Sequence, residues 1–395
     1  MTPAYLDYAA TTPVDERVAQ VMAACLTREG AFGNPGSSSH DYGDEAQALV
    51  EAARGRVAAA VGADAADVMW TSGATEADNL AVFGIANYYV ESGRHVVTVR
   101  TEHKAVLAPC RELERRGWKV TYLVPDRRGV LDPAQLHAAL RPDTVLVSVM
   151  HVNNEIGVIQ DIAALAALCT AHGTARLHVD AAQTVGKCRV DFAAMGIDLL
   201  SLSAHKAYGP KGVGALVVAR RRGVQLQPLL LGGGQERNLR PGTVATHQVV
   251  GMGMAFALAA AALDVEVERV EELRDRLWDG IERLGGVLRN GSPEHCVPHV
   301  LNVSFEGVEG ESLLAAVRPF IAVATGSACT SAVREPSYVL RALGRDERLA
   351  QSSLRFSLGR FTTPAEVDAA VAAVTRAVTR LRRVAGFATP AAPAT

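Results

Sequence analysis

The sequence predicts an α/β protein, with a large domain built on a mostly parallel seven-stranded sheet and a smaller α+β domain. Three observations predict it. The 395 residues exceed what a single core of about 100–200 residues normally uses. Between about Val68 and Ala219, seven short β-rich runs alternate with amphipathic helical stretches, the βαβ rhythm of a parallel sheet. After a Gly-rich loop the pattern changes to one long helical stretch, sparse strands and a closing helix.

In chain order, the seven runs are VMWTS, HVVTV, KVTYLV, TVLVSVMHV, RLHVD, LLSLS and VGALVVA. Those at 144–152 and 213–219 are apolar on both faces, as strands covered by helices on each side should be. The loop LGGGQERNLRPGT covers 231–243, and an Ala-rich, charge-patterned helix is expected from about Gln248 to Leu284. Beyond Leu288, LNVSF and SSLRFSL read as strands and AEVDAAVAAVTRAVTRLRRV as the last helix. The expected division is a large domain over 16–262, with 1–15 and 263–395 forming the small one.

Composition narrows the class of function. At 49% hydrophobic and 21% charged the chain reads as globular and water-soluble. Forty basic residues against 42 acidic ones leave a formal charge of −2, so no long-range field gathers nucleic acid or an anionic membrane. No signal-like segment opens the chain and no window approaches a span of ~20 apolar residues, which predicts a cytoplasmic protein. The six cysteines lie far apart without a CxxC pair, so neither a metal site nor a disulfide framework is expected. Cys25, Cys110 and Cys169 fall in helical patterns and read as small core residues. Cys329 differs, because ATGSACTSAV surrounds it with small and hydroxyl residues and no large apolar anchor.

Chemistry is sought where strands end. The run TSGATE passes from strand to helix near Thr75, placing small residues and free backbone N–H groups at a positive helix terminus, which suits an anion. Taken alone it also reads as a plain N-cap. RLHVD ends on Asp180 with Gln183 one turn later, and LLSLS is followed by His205 and Lys206. A lysine for a Schiff base, a carboxylate for a heterocyclic nitrogen and donors for a phosphate are what pyridoxal phosphate requires. Singly, Asp180 also reads as a helix cap and Lys206 as a surface lysine; their order and spacing carry the reading.

The chain resembles the NifS/IscS-type cysteine desulfurases, within the class V aminotransferase group of fold-type I pyridoxal-phosphate enzymes. The matching stretches run in order almost from end to end: LDYAATTPVD, FGNPGSSSH, TSGATEADNLA, TEHKAVL, MHVNNEIGVIQDI, HVDAAQTVGK, SAHKAYGPKGVGAL, GGGQERNLRPGT, NVSFEGVEGESL, TGSACTSAVREPSYVLRALG and SSLRFSLGRFT. The resemblance implies that Lys206 carries the cofactor, Asp180 faces its pyridine nitrogen, Gln183 bonds its phenolic oxygen and His103 stacks on its ring and shuttles protons. It implies that Ala74, Thr75, Ser203 and His205 hold the phosphate, that Asn154 touches cofactor and substrate, and that Thr243 reaches the phosphate of a neighbouring subunit in a homodimer. Arg355 would grip the carboxylate of L-cysteine. Cys329, in a loop at about 321–335, would take the sulfur as a persulfide and pass it to an acceptor protein, for iron–sulfur clusters, other thio-cofactors or tRNA thiolation.

Rival readings are a selenocysteine lyase, another class V aminotransferase-like enzyme, or an adaptor that keeps the fold without chemistry. The cysteine loop favours desulfuration over the first two, and retention of Lys206 and Asp180 argues against the third. Two departures stand out. Ala204 replaces a glycine common before His-Lys, and LRRVAGFATPAAPAT replaces the apolar closing segment with which housekeeping members dock a scaffold, leaving the acceptor open.

Overall fold

The computed structural model describes residues 3–325 and 336–387. Cys329 and most of its expected loop therefore lie outside the described residues.

A seven-stranded sheet runs in the order Val68–Thr71, Gly214–Val218, Leu199–Ser203, Arg176–Asp180, Thr144–Met150, His95–Val99, Lys119–Leu123. Gly214–Val218 is antiparallel to both neighbours, while every other pairing in the sheet is parallel. Every residue of Thr144–Met150 and Gly214–Val218 is buried, which is why these runs carry no polar alternation. Polar side chains inside the sheet pair with one another: the His178 ring lies between the hydroxyls of Ser148 and Ser201, at 2.8 and 2.9 Å.

A three-stranded antiparallel sheet, Ser353–Ser357, Val300–Phe305 and Val287–Asn290, forms the second layer system. Its apolar core includes Phe305, Phe356 and Leu354, together with Leu6 from the N-terminal segment. Ala4–Tyr5 pairs in parallel with Ile321–Ala322, tying the start of the chain to this unit. The closing helix Pro364–Val384 opens on a capping box between Thr363 and Glu366.

The long helix extends from Thr246 to Glu282. Its first half buries Met252 and Phe256 in the core of the large sheet, and its second half buries Val270 and Leu277 in the other core. Against the expectation that no window approaches a membrane span, this helix is long and apolar enough to cross one by length and composition, and it packs on the two cores instead. Cys110 and Cys169 are buried in helices as expected, whereas Cys25 is buried in the turn after Glu16–Ala23 rather than within a helix.

Candidate active site

The six strands of common direction end on one edge of the large sheet, so the residues just beyond them converge. Ser72 to Thr75 follow the first strand, His103 follows His95–Val99, Asn154 follows Thr144–Met150, Asp180 ends its own strand and Lys206 follows Leu199–Ser203. All of them line one cavity of about 470 Å³, together with Ala9, Ala10, Gln183, Ser203, His205 and Arg355.

At one end of the cavity lies the helix Ala74–Tyr88, which no side chain caps. Gly73 precedes it at φ +150°, a conformation open to glycine, so the chain turns from strand to helix with its first N–H groups uncovered. A Cβ on Gly214 would lie 2.6 Å from the Gly73 Cα, so the adjacent strand can approach only as glycine. This cradle, with Ser203 and His205 beside it, suits a phosphate.

Lys206 sits in a single turn of 3-10 helix, Ala204–Lys206, and its Nζ donates to the carbonyls of Ala9 and Ala10 at 2.7 Å each. Tyr208, at φ +62°, reverses the chain immediately afterwards; its N–H donates to Thr12 Oγ1 at 2.8 Å and its ring stacks under Arg360. Asp180 accepts from the Ala182 N–H at 2.9 Å. Burial, reinforced by the nearby Asp78 carboxyl, pushes Asp180 up to about 6, and a cationic heterocycle against it would restore its charge.

His103 is the N-cap of Lys104–Arg115, with its Nδ1 accepting from the Ala105 N–H at 3.1 Å. Burial lowers its pKa, so the ring is neutral near pH 7. Because Nδ1 is an acceptor, its proton resides on Nε2. The Asn154 loop is shaped by Asn153, whose Oδ1 accepts from the N–H groups of Glu155 and Ile156 at 2.9 and 3.0 Å. Asn154 Oδ1 is buried without a partner among the described residues. The Arg355 guanidinium donates to the Asn154 carbonyl and to Asp7 Oδ1, both at 2.8 Å, while its Nε has no partner among the described residues.

Thr243 is the exception among the expected residues that the structure describes. It lies in a separate cleft with Arg54, Gln235 and Arg237. Sequence reading missed Asp7, Ala9 and Ala10, which reach the site from the N-terminal segment, and also Asp78 and Lys187. The stretch LDYAATTPVD carries the first three without showing what they do. Asp78 lies one turn past Thr75 and is fully buried 3.5 Å from His178; neither of its oxygens accepts a well-formed hydrogen bond among the described residues, although the Ser201 hydroxyl nearby favours its charged form. Burial pushes it up to about 7.

Residues 4–370 match the family of class-V aminotransferases. Cysteine desulfurase IscS of Pectobacterium atrosepticum is 55% identical over 380 residues, 96% of this chain and 94% of that protein. The chain belongs to the NifS/IscS branch of the class-V aminotransferase family. A solved NifS-like protein superimposes with a TM-score of 0.87 at 35% identity, over 98% of this chain and 100% of that one. The structure of SspA in complex with cysteine aligns at 0.81 and 36% identity, over 91% of this chain and 100% of that one.

Pyridoxal phosphate is the cofactor of this class-V enzyme, and the cavity fits it. The uncapped helix terminus, the Asp180 carboxylate and the Lys206 amine would meet its three needs in one space.

Proposed function

We propose that the protein is a cysteine desulfurase that converts L-cysteine to L-alanine and keeps the sulfur as a persulfide on Cys329. The observation that carries the reading is the shared cavity of Lys206, Asp180, His103 and Arg355. When bound, the cofactor supplies an electron sink for charge that develops at the amino acid's α-carbon.

The chain's own residues supply the rest. Lys206 holds the cofactor and exchanges the α-proton, and Asp180 holds the proton on the ring nitrogen. Gly73–Thr75, Ser203 and His205 bind the phosphate. His103, protonated on Nε2, stacks on the ring and donates a proton in the cavity. Arg355, at the cavity wall, orients the substrate carboxylate. Asn154 contacts both cofactor and substrate. The Cys329 thiolate attacks the substrate sulfur: an S–S bond forms, the C–S bond breaks, and the carbon takes the electron pair and a proton, leaving alanine.

We read residues 16–262 as the cofactor domain, and 1–15 with 263–395 as the domain that carries the cysteine loop. The protein works as a homodimer, with Thr243 completing the partner's phosphate site, and passes sulfur to an acceptor protein. The free thiols of Cys25, Cys110 and Cys169 suit a reducing, cytoplasmic setting.

The test is to mix the loaded protein with L-cysteine and a reductant and assay sulfide and alanine. Equimolar release is expected, and alanine without matching sulfide would overturn the reading. Cys329→Ser should abolish the protein persulfide while the cofactor's visible absorbance stays.

A further inference from the structure

Lys187 is buried, 6% exposed, and among the described residues no carboxylate pairs with it. The titratable groups that face it are Lys206, Cys188, Arg355, His205 and His299. Burial drives its pKa down to about 7, with Lys206 and Arg355 acting in the same direction and Cys188 against it. A lysine in such a place is costly to fold and calls for a reason.

Its side chain donates a hydrogen bond to Gln183 Oε1. The Gln183 Nε2 in turn donates to the carbonyl of Ala9 at 2.8 Å. An amine bearing its protons donates, and a backbone carbonyl accepts, so the two contacts together admit one orientation of the amide. That orientation leaves the second hydrogen of Nε2 available to the cavity that Gln183 lines. Without Lys187, Ala9 alone would hold the amide, and the oxygen could turn toward the cavity in its place.

We propose that Lys187 is a positioning residue: it locks the Gln183 amide so that Gln183 meets the cofactor's phenolic oxygen as a donor and never as an acceptor. This rests on the cofactor reading above. A donor on that oxygen draws off negative charge that would otherwise hold the proton of the Schiff base, so losing the lock raises the proton affinity of the bound cofactor.

The experiment is a pH titration of the visible absorbance of the loaded, full-length protein as wild type, Gln183→Ala, Lys187→Met and the double variant. Removal of a buried positive charge would also raise the midpoint, so the double-mutant cycle decides. The expected result is that each single variant raises the cofactor's proton affinity by about tenfold and the double variant matches Gln183→Ala within about twofold. Full additivity would show that Lys187 acts by its charge alone and overturn the proposal, as would a midpoint that Lys187→Met leaves in place. If Lys187→Met misfolds, Lys187→Ala takes its place in the same cycle with Gln183→Ala, and full additivity there would overturn the proposal in the same way. A wild type without any visible band would overturn the cofactor reading itself.

Discussion

The guanidinium of Arg355 is held by Asp7 at 2.8 Å across 348 residues of sequence, with its second arm on the carbonyl of Asn154. Two anchors set the plane of the fork at the wall of the cavity. Arg355→Lys removes both the fork and its anchoring, and should lower kcat/KM for L-cysteine by about 30–300-fold. Asp7→Asn keeps the arginine but loosens it, with an expected loss of about tenfold, most of it in KM. Steady-state kinetics on the loaded enzyme check both, and an unchanged KM in Arg355→Lys would remove Arg355 from the substrate site.

Asp78 offers a pH test of stability. Its folded pKa of about 7 lies above the ordinary carboxylate value of 3.8, so the unfolded chain releases this proton first as pH rises. Stability from this group is therefore full below about pH 4 and is lost as pH climbs through 7. Asp78→Asn should melt higher than wild type at pH 8, by the equivalent of about 1–3 kcal/mol, with a smaller gain at pH 5. Parallel melting curves at the two pH values would show that Asp78 does not carry this linkage.

Arg54 and Glu236 form a buried pair at 2.8 Å, and Glu236 also accepts from the Trp70 N–H at 2.8 Å. The pair pins three consecutive residues, Glu236, Arg237 and Asn238, at φ between 45° and 64°. Arg54→Met leaves the Glu236 carboxylate uncompensated and should destabilise the fold by about 3–5 kcal/mol. Chemical denaturation reads this directly, and Asn238→Gly, which relieves one strained position, should recover part of the loss.

Gly214→Ala tests the phosphate cradle from behind. Its Cβ would press the Gly73 Cα and shift the first turn of Ala74–Tyr88. Cofactor affinity, measured by absorbance on titration with pyridoxal phosphate, should fall by at least about tenfold while the secondary structure seen by circular dichroism persists. Undiminished affinity would mean that the helix terminus does not hold the phosphate.

Much of the frame and part of the site were readable without coordinates. All seven strand candidates form the large sheet, Asp180 ends its strand, and Thr75 and Lys206 follow theirs as the βαβ reading requires. These are local properties: side-chain periodicity of two or 3.6 residues, and the rule that ligands meet an open sheet at its carboxyl edge. What the sequence determined by itself was therefore the order of elements and the residues at their ends.

Tertiary structure decided which distant atoms meet there. Gln183 bonds Ala9 across 174 residues, Lys206 bonds the same carbonyl, and Arg355 takes its orientation from Asp7. Lys187 shows the limit most clearly. In HVDAAQTVGK it reads as an ordinary lysine after a glycine, and only the packing of distant segments around it makes it buried and unpaired with any described carboxylate. Burial and partner choice depend on chain closure over long separations, which no local pattern encodes.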